Sequence, residues 1–240
     1  MTSSMPLLTR LADIWRWHLQ RRMLPFFVRP DARGIASVAV ADTVLPADWI
    51  GPGWTCYCIG VGEDIVLDRH LTEAWRAPVW AFDPTPRAIA YMQTAQYDRA
   101  LLHFVPAGIW SEDCVQRFHA PPNPQWVSHS ITEDHGGTWF DAQCRAIPSI
   151  MRELGHDRID FIKLNIEGAE HVVLESMLAA GIEPAVVTLT WEGKGAFGKA
   201  LRWTRRLRAR GYRLLAVRDW FFTYVRDEAR PAAPNPTDRA

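Results

Sequence analysis

From Trp54 onward, short apolar runs alternate with stretches whose apolar positions recur at helical intervals. "TCYCIGVG" reads as a buried strand ending in a glycine turn, "VWAFDPTP" as a second strand closed by Asp-Pro, and "ALLHFVPAGIW" as a third. Between the first two, "IVLDRHLTEAW" has helical spacing. Between the second and third, "PRAIAYMQTAQ" opens with Pro86, which fits a first helical turn because an amide there has no intrahelical partner to lose. Strands of this kind separated by helices argue for a parallel sheet covered on both faces.

Residues 111 to 141 interrupt the rhythm. "FHAPPNPQWVSHSITEDHGGTWFD" carries prolines, a Gly-Gly pair, three histidines and two tryptophans without a sustained period, which predicts a long loop or irregular hairpin. The alternation then resumes. "CRAIPSIMRELG" predicts a helix, "IDFIKLNIEGAE" a strand running into a helix, and "HVVLESMLAAG" a helix closed by Gly181. "PAVVTLTWEG" is the next strand and "GKALRWTRRLRARG" a basic amphipathic helix. "YRLLAVRD" and "WFFTYVR" form a terminal antiparallel pair. The count is about seven strands in a Rossmann-like, doubly wound, mostly parallel sheet with an antiparallel terminal strand. Three regions follow: an N-terminal helical extension or cap over 1–50, the main domain over 51–227, and a disordered tail over 228–240, whose "EARPAAPNPTDRA" is poor in core-forming residues.

Length and charge add limits. A chain of 240 residues suits one sizeable domain. Its 27 basic and 27 acidic residues balance, so nothing in the totals calls for nucleic acid. Leu8, Leu11, Ile14, Trp15 and His18 follow helical spacing, which predicts an amphipathic N-terminal helix docked on the protein's own core; no apolar run is long enough for a membrane span or an export signal. The cysteines Cys56, Cys58, Cys114 and Cys144 lack the paired spacing of a zinc site, and a reduced, cytoplasmic protein is the simpler reading. His119, His129 and His135, with Glu133 and Asp134 beside the last, show no diagnostic ligand spacing, so no metal is assigned. One of these histidines remains open as a general base.

The candidate chemistry sits at strand ends, where an open parallel sheet binds its ligands. Gly60 and Gly62 follow the first strand and allow close approach to the backbone. Asp83 ends the second, about 20 residues on, where this architecture places an acid on ribose hydroxyls. A dinucleotide fingerprint requires a further glycine at position 65, and Ile65 stands there. S-adenosylmethionine, which carries no phosphate, suits such a loop better. In "KLNIEGAE", strand alternation puts Lys163, Asn165 and Glu167 on one face. Glu170 lies one helical turn beyond Glu167, and both acids also suit a helix N-terminus for electrostatic reasons alone. Lys163 stands out in a chain whose only other lysines are Lys194 and Lys199.

Taken in order, "CYCIGVGEDIVLD", "VWAFDPTPRAI", "GIWSED" and "IDFIKLNIEGAEHVVLESML" resemble the FkbM-type class I methyltransferases over residues 53 to 225. The resemblance implies S-adenosylmethionine held at Cys58, Gly60, Gly62 and Asp64, with Asp83 and Pro84 on the ribose side and Gly108 and Ile109 near the adenine. It implies a catalytic set of Lys163, Asn165, Glu167 and Glu170. The family pattern has an acid where this chain has Asn165, an amide that orients an acceptor but accepts no proton. The expected activity is O-methylation of a small hydroxylated acceptor, a sugar or secondary metabolite. The alternative is a degenerate cofactor-binding module that acts as an interaction partner; a nicotinamide oxidoreductase is disfavoured by Ile65. Oligomeric state is left open.

Overall fold

The structure, a computed structural model, describes residues 18–121, 130–131, 137–191, 195–226 and 228. It begins with a helix over residues 18–27 (α1) and a hairpin of β1 (Ser37–Val40) and β2 (Thr43–Pro46). Then come β3 (Cys56–Ile59), α2 (Val66–Glu73), β4 (Val79–Phe82), α3 (Pro86–Thr94) and β5 (Leu102–Val105). Three strands follow, β6 (Gly108–Trp110), β7 (Cys114–His119) and β8 (Trp139–Ala146), and then α4 (Ile147–Leu154). The chain continues through β9 (Phe161–Leu164), α5 (Glu170–Ala179), β10 (Val186–Thr190), α6 (Ala196–Arg208), β11 (Tyr212–Arg218) and β12 (Phe221–Arg226).

The main sheet has seven strands in the order β11-β12-β10-β9-β3-β4-β5. β10, β9, β3, β4 and β5 pair in parallel, while β12 runs antiparallel between β10 and β11. The doubly wound sheet expected from the sequence is therefore present, with its antiparallel strand inserted one place from the edge. Strand order reverses between β3 and β9, and such a reversal opens a crevice beyond the strands' carboxyl ends.

Two apolar layers cover the sheet. Tyr57 and Ile59 of β3 join Ile162 and Leu164 of β9 in one layer with α5 and α6. Cys56 and Cys58 point the other way, into a layer with Phe161 and the α2 residues Leu67 and Leu71. This is the two-residue alternation of a strand buried on both faces.

Three expectations change. Gly108–Trp110 does not extend the third strand: the chain turns after Val105, with the Ala107 amide donating to the Val105 carbonyl, and β6 pairs in parallel with β8. Cys144–Ala146 belongs to β8, and the helix expected there begins at Ile147, with Pro148 in its first turn. The ladder of β8 on β7, from Cys114–Cys144 to His119–Trp139, is formed between segments far apart in sequence, so local periodicity does not report it. The amphipathic helix expected from Leu8, Leu11, Ile14 and Trp15 lies outside the described residues, while the N-terminal region also holds the β1–β2 hairpin, which packs on β11 and β12. The tail expectation falls on residues outside those described, apart from residue 228.

Candidate cofactor and acceptor site

The loop after β3 is shaped by its glycines. Gly60 has φ +86° and Gly62 φ +59°, in the left-handed region that other residues adopt only with strain. A Cβ on Gly60 would lie 1.8 Å from the Asn165 carbonyl oxygen. The missing side chain therefore makes room for the β9 backbone, and not only for a ligand. The Gly60 amide donates to the Phe82 carbonyl at 2.9 Å, and the Val61 and Gly62 amides both donate to Asp83 Oδ2 at 2.9 Å. Asp64 Oδ1 accepts from the Val66 amide at 2.8 Å and turns the chain into α2. Lys163 Nζ donates to the Gly60 carbonyl at 3.0 Å, so the conspicuous lysine holds the loop from below.

At the end of β9 the Asn165 amide donates to the Ile59 carbonyl at 3.0 Å, carrying the parallel ladder one residue past the strand. Its side-chain Oδ1 accepts from the Thr190 hydroxyl at 2.8 Å. With its carbonyl engaged by β10, this amide offers the cavity its two N–H donors. Glu167 sits at φ +53°, a left-handed backbone for a residue with a side chain, which stores about 1 kcal/mol of strain. The Ser130 hydroxyl donates to the Glu167 carbonyl at 3.0 Å. Strained residues concentrate at functional sites because only a well-determined surrounding keeps them there.

Glu170 plays a different part. It is fully buried, its Oε1 accepts from the Ile166 amide at 3.0 Å, and Oε2 has no hydrogen-bond partner. Burial pushes its carboxyl up to about 7 from an ordinary 4.5, against the backbone amides around the helix start and the nearby Lys199.

These elements enclose a cavity of about 240 Å³ at the carboxyl ends of β3, β4 and β9. Gly60, Gly62, Asp64, Asp83, Pro84, Gly108, Ile109, Lys163, Asn165 and Glu167 all line it. Two candidates do not. Cys58 is fully buried under α2, one residue inside the end of β3, and burial holds its thiol well above its ordinary value. Glu170 does not line the cavity, and its carboxyl accepts from the Ile166 amide of the β9–α5 turn. His119 falls in β7 and does not line the cavity, and His129 and His135 lie outside the described residues. Among the described residues, no three His, Cys, Asp or Glu side chains are grouped to hold a metal ion.

The structure adds participants that the sequence did not single out. Asp42 and Thr43 bring the β1–β2 turn to the rim, Phe118 supplies an aromatic wall from β7, and Thr85 and Thr190 orient Asp83 and Asn165. Only Thr85 had a local signal, since it stands two residues after the strand-end acid. Thr190 is 25 residues from Asn165 and meets it only because β9 and β10 pair.

The strand order with its inserted antiparallel strand, and the cavity at the strand-order reversal, define a class I methyltransferase fold. The sequence profile of the methyltransferase FkbM domain matches residues 32–214, and the chain belongs to that family. No curated protein matches it. Among solved structures, the Methanococcus jannaschii fibrillarin pre-rRNA processing protein is similar over 83% of this chain and 86% of its own, at 10% identity and a TM-score of 0.44.

Proposed function

We propose that the protein transfers a methyl group from S-adenosylmethionine to a hydroxyl oxygen of a small acceptor, a sugar or secondary metabolite. The observation that carries the choice of cofactor is the state of the glycine loop. Its three leading amides already donate within the protein, two of them to the buried carboxylate of Asp83. A phosphate requires free amides and a positive setting. A loop backed by a carboxylate suits a cationic ligand without phosphate, and among the described residues the cavity's acids, Asp42, Glu63, Asp64, Asp83 and Glu167, outnumber its one cation, Lys163.

When bound, S-adenosylmethionine supplies an electrophilic methyl on a sulfonium. The chain's own task is to align the acceptor oxygen and exclude water. Asn165, its carbonyl held by Thr190, donates to an oxygen of the acceptor and fixes its approach. Glu167 is the carboxylate at the β9 end that lines the cavity, and it takes the hydroxyl proton as the new C–O bond forms. Lys163 and Glu170 keep the two turns in shape. Phe82, Phe118 and Phe221 supply apolar wall for the rings of the ligands. Cysteines without disulfide partners support a reducing, cytoplasmic setting, and no helix among the described residues is long and apolar enough to cross a membrane.

Calorimetric titration with S-adenosylmethionine, followed by mass detection of S-adenosylhomocysteine over a panel of hydroxylated acceptors, tests this reading. Saturable binding with acceptor-dependent product is expected. No binding of either adenosyl ligand refutes it, and binding without product for any acceptor favours a non-catalytic module, the reading that Asn165 in place of an acid supports.

A further inference from the structure

The acid at the end of β4 is expected on a ribose, and the structure commits it elsewhere. Resting on the cofactor reading above, we propose that Asp83 is the positioning residue that clamps the glycine loop, and that it makes no hydrogen bond to the ribose. A carboxylate offers two oxygens with about four lone-pair positions. At Asp83, Oδ2 accepts from the Val61 and Gly62 amides, both at 2.9 Å. Oδ1 accepts from the Thr85 amide at 2.8 Å and the Thr85 hydroxyl at 2.6 Å. All four positions are filled, and the residue is only 6% exposed.

The donors come from two different loops. Val61 and Gly62 follow β3, whereas Thr85 is the N-cap of α3, where its hydroxyl also accepts from the Ala88 amide. Asp83 therefore ties together the two turns that form the cofactor side of the cavity. The Gly60 amide on the Phe82 carbonyl continues the same ladder. A ribose hydroxyl that took a place on Asp83 would displace an amide or hydroxyl already bonded there, leaving a buried donor unsatisfied and cancelling much of its own gain. The short aspartate side chain, held down by the Thr85 turn, has its charge beneath the loop. Cofactor affinity then depends on Asp83 through the shape of the left-handed glycine turn.

Calorimetry with S-adenosylhomocysteine and its 2′,3′-dideoxy analogue, on the wild type and Asp83→Asn, separates the two roles. A clamp predicts that the variant weakens both ligands by the same factor, roughly tenfold to hundredfold, with their affinity ratio unchanged. A ratio of one already in the wild type likewise supports the clamp. A preference for the ribose hydroxyls that disappears only in the variant makes Asp83 a ribose ligand and overturns the proposal. Amide hydrogen exchange on the ligand-free wild type gives a second measurement that needs no variant. Val61 and Gly62 should be protected, and exchange at the rate of an unstructured chain overturns the clamp. Failure of the wild type to bind either ligand defeats the cofactor reading, and the exchange measurement then decides the clamp alone.

Discussion

Replacing Glu170 with glutamine removes a charge that the fold holds out of water while preserving the contact that shapes the site. The carboxyl is fully buried at the start of α5, with Oε1 on the Ile166 amide and Oε2 without a partner. Burial raises it to about 7 from 4.5, so the native state binds this proton more tightly than the unfolded chain does. Between those two values the native state holds more protons, and stability falls as pH rises. The favourable contribution is complete below about 4.5 and is lost as pH rises through about 7. A displacement of this size corresponds to about 3 kcal/mol. In Glu170→Gln the amide oxygen keeps the Ile166 contact, and the –NH2 inherits the unpartnered position, which offsets about 1 kcal/mol. The variant should be more stable than the wild type by about 2 kcal/mol at pH 8, and within about 1 kcal/mol of it at pH 5, where the native carboxyl is neutral. Urea unfolding of both proteins from pH 5 to 8, with equal m-values, measures the difference. A gap independent of pH, or a variant less stable at pH 8, would refute the assignment of a desolvated carboxyl.

Gly60→Ala should destabilise the protein by about 3 kcal/mol or more and abolish adenosyl-ligand binding, because the new Cβ meets the Asn165 carbonyl and the backbone is left-handed; thermal unfolding and calorimetry check both. Thr190→Val frees the Asn165 amide and should lower turnover roughly tenfold while leaving adenosyl-ligand affinity within a factor of about two, as read by steady-state kinetics and titration. Asn165→Asp should likewise reduce turnover, and a sharp rise instead would show that the site is not tuned around an amide donor. Glu167→Gly relieves the left-handed strain and should raise stability by about 1 kcal/mol while losing most methyl transfer, a split that denaturation and product assays would show together.

Much of this was legible along the chain because strands and helices of a doubly wound sheet carry their signals locally. The apolar run at Cys56–Ile59, Asp-Pro after Phe82 and the basic helix before Gly211 each announce an element within a dozen residues. That the candidate residues at strand ends come together was legible for the same reason, since parallel strands gather their carboxyl ends on one edge. Gly60, Gly62, Asp83 and Asn165 therefore meet at one cavity. Cys58 does not line the cavity, since it stands one residue inside the end of β3 and is packed under α2. The irregular hairpin expected over 111 to 141 is present as β7 and β8, while Cys144–Ala146, expected in a helix, joins β8 because its partners β6 and β7 impose a strand on residues whose local spacing suits a helix.

The order of elements, the family pattern and the edge of the sheet that carries the site were determined by the sequence itself, through periodicity and short motifs that need no distant partner. The tertiary structure decided what each candidate residue bonds. Asp83 holds two loop amides because the register that sets Ile59 against Phe82 brings them onto one carboxylate. Asn165 became a fixed donor because β10 delivers Thr190 to its carbonyl. Glu170 became a buried acid that titrates near neutrality because packing of the turn ahead of α5 removes its water. Hydrogen-bond partners and desolvation are properties of assembled neighbours, and the Val61 and Gly62 amides on Asp83 and the Thr190 hydroxyl on Asn165 come from segments 20 or more residues away along the chain, beyond the reach of any local pattern.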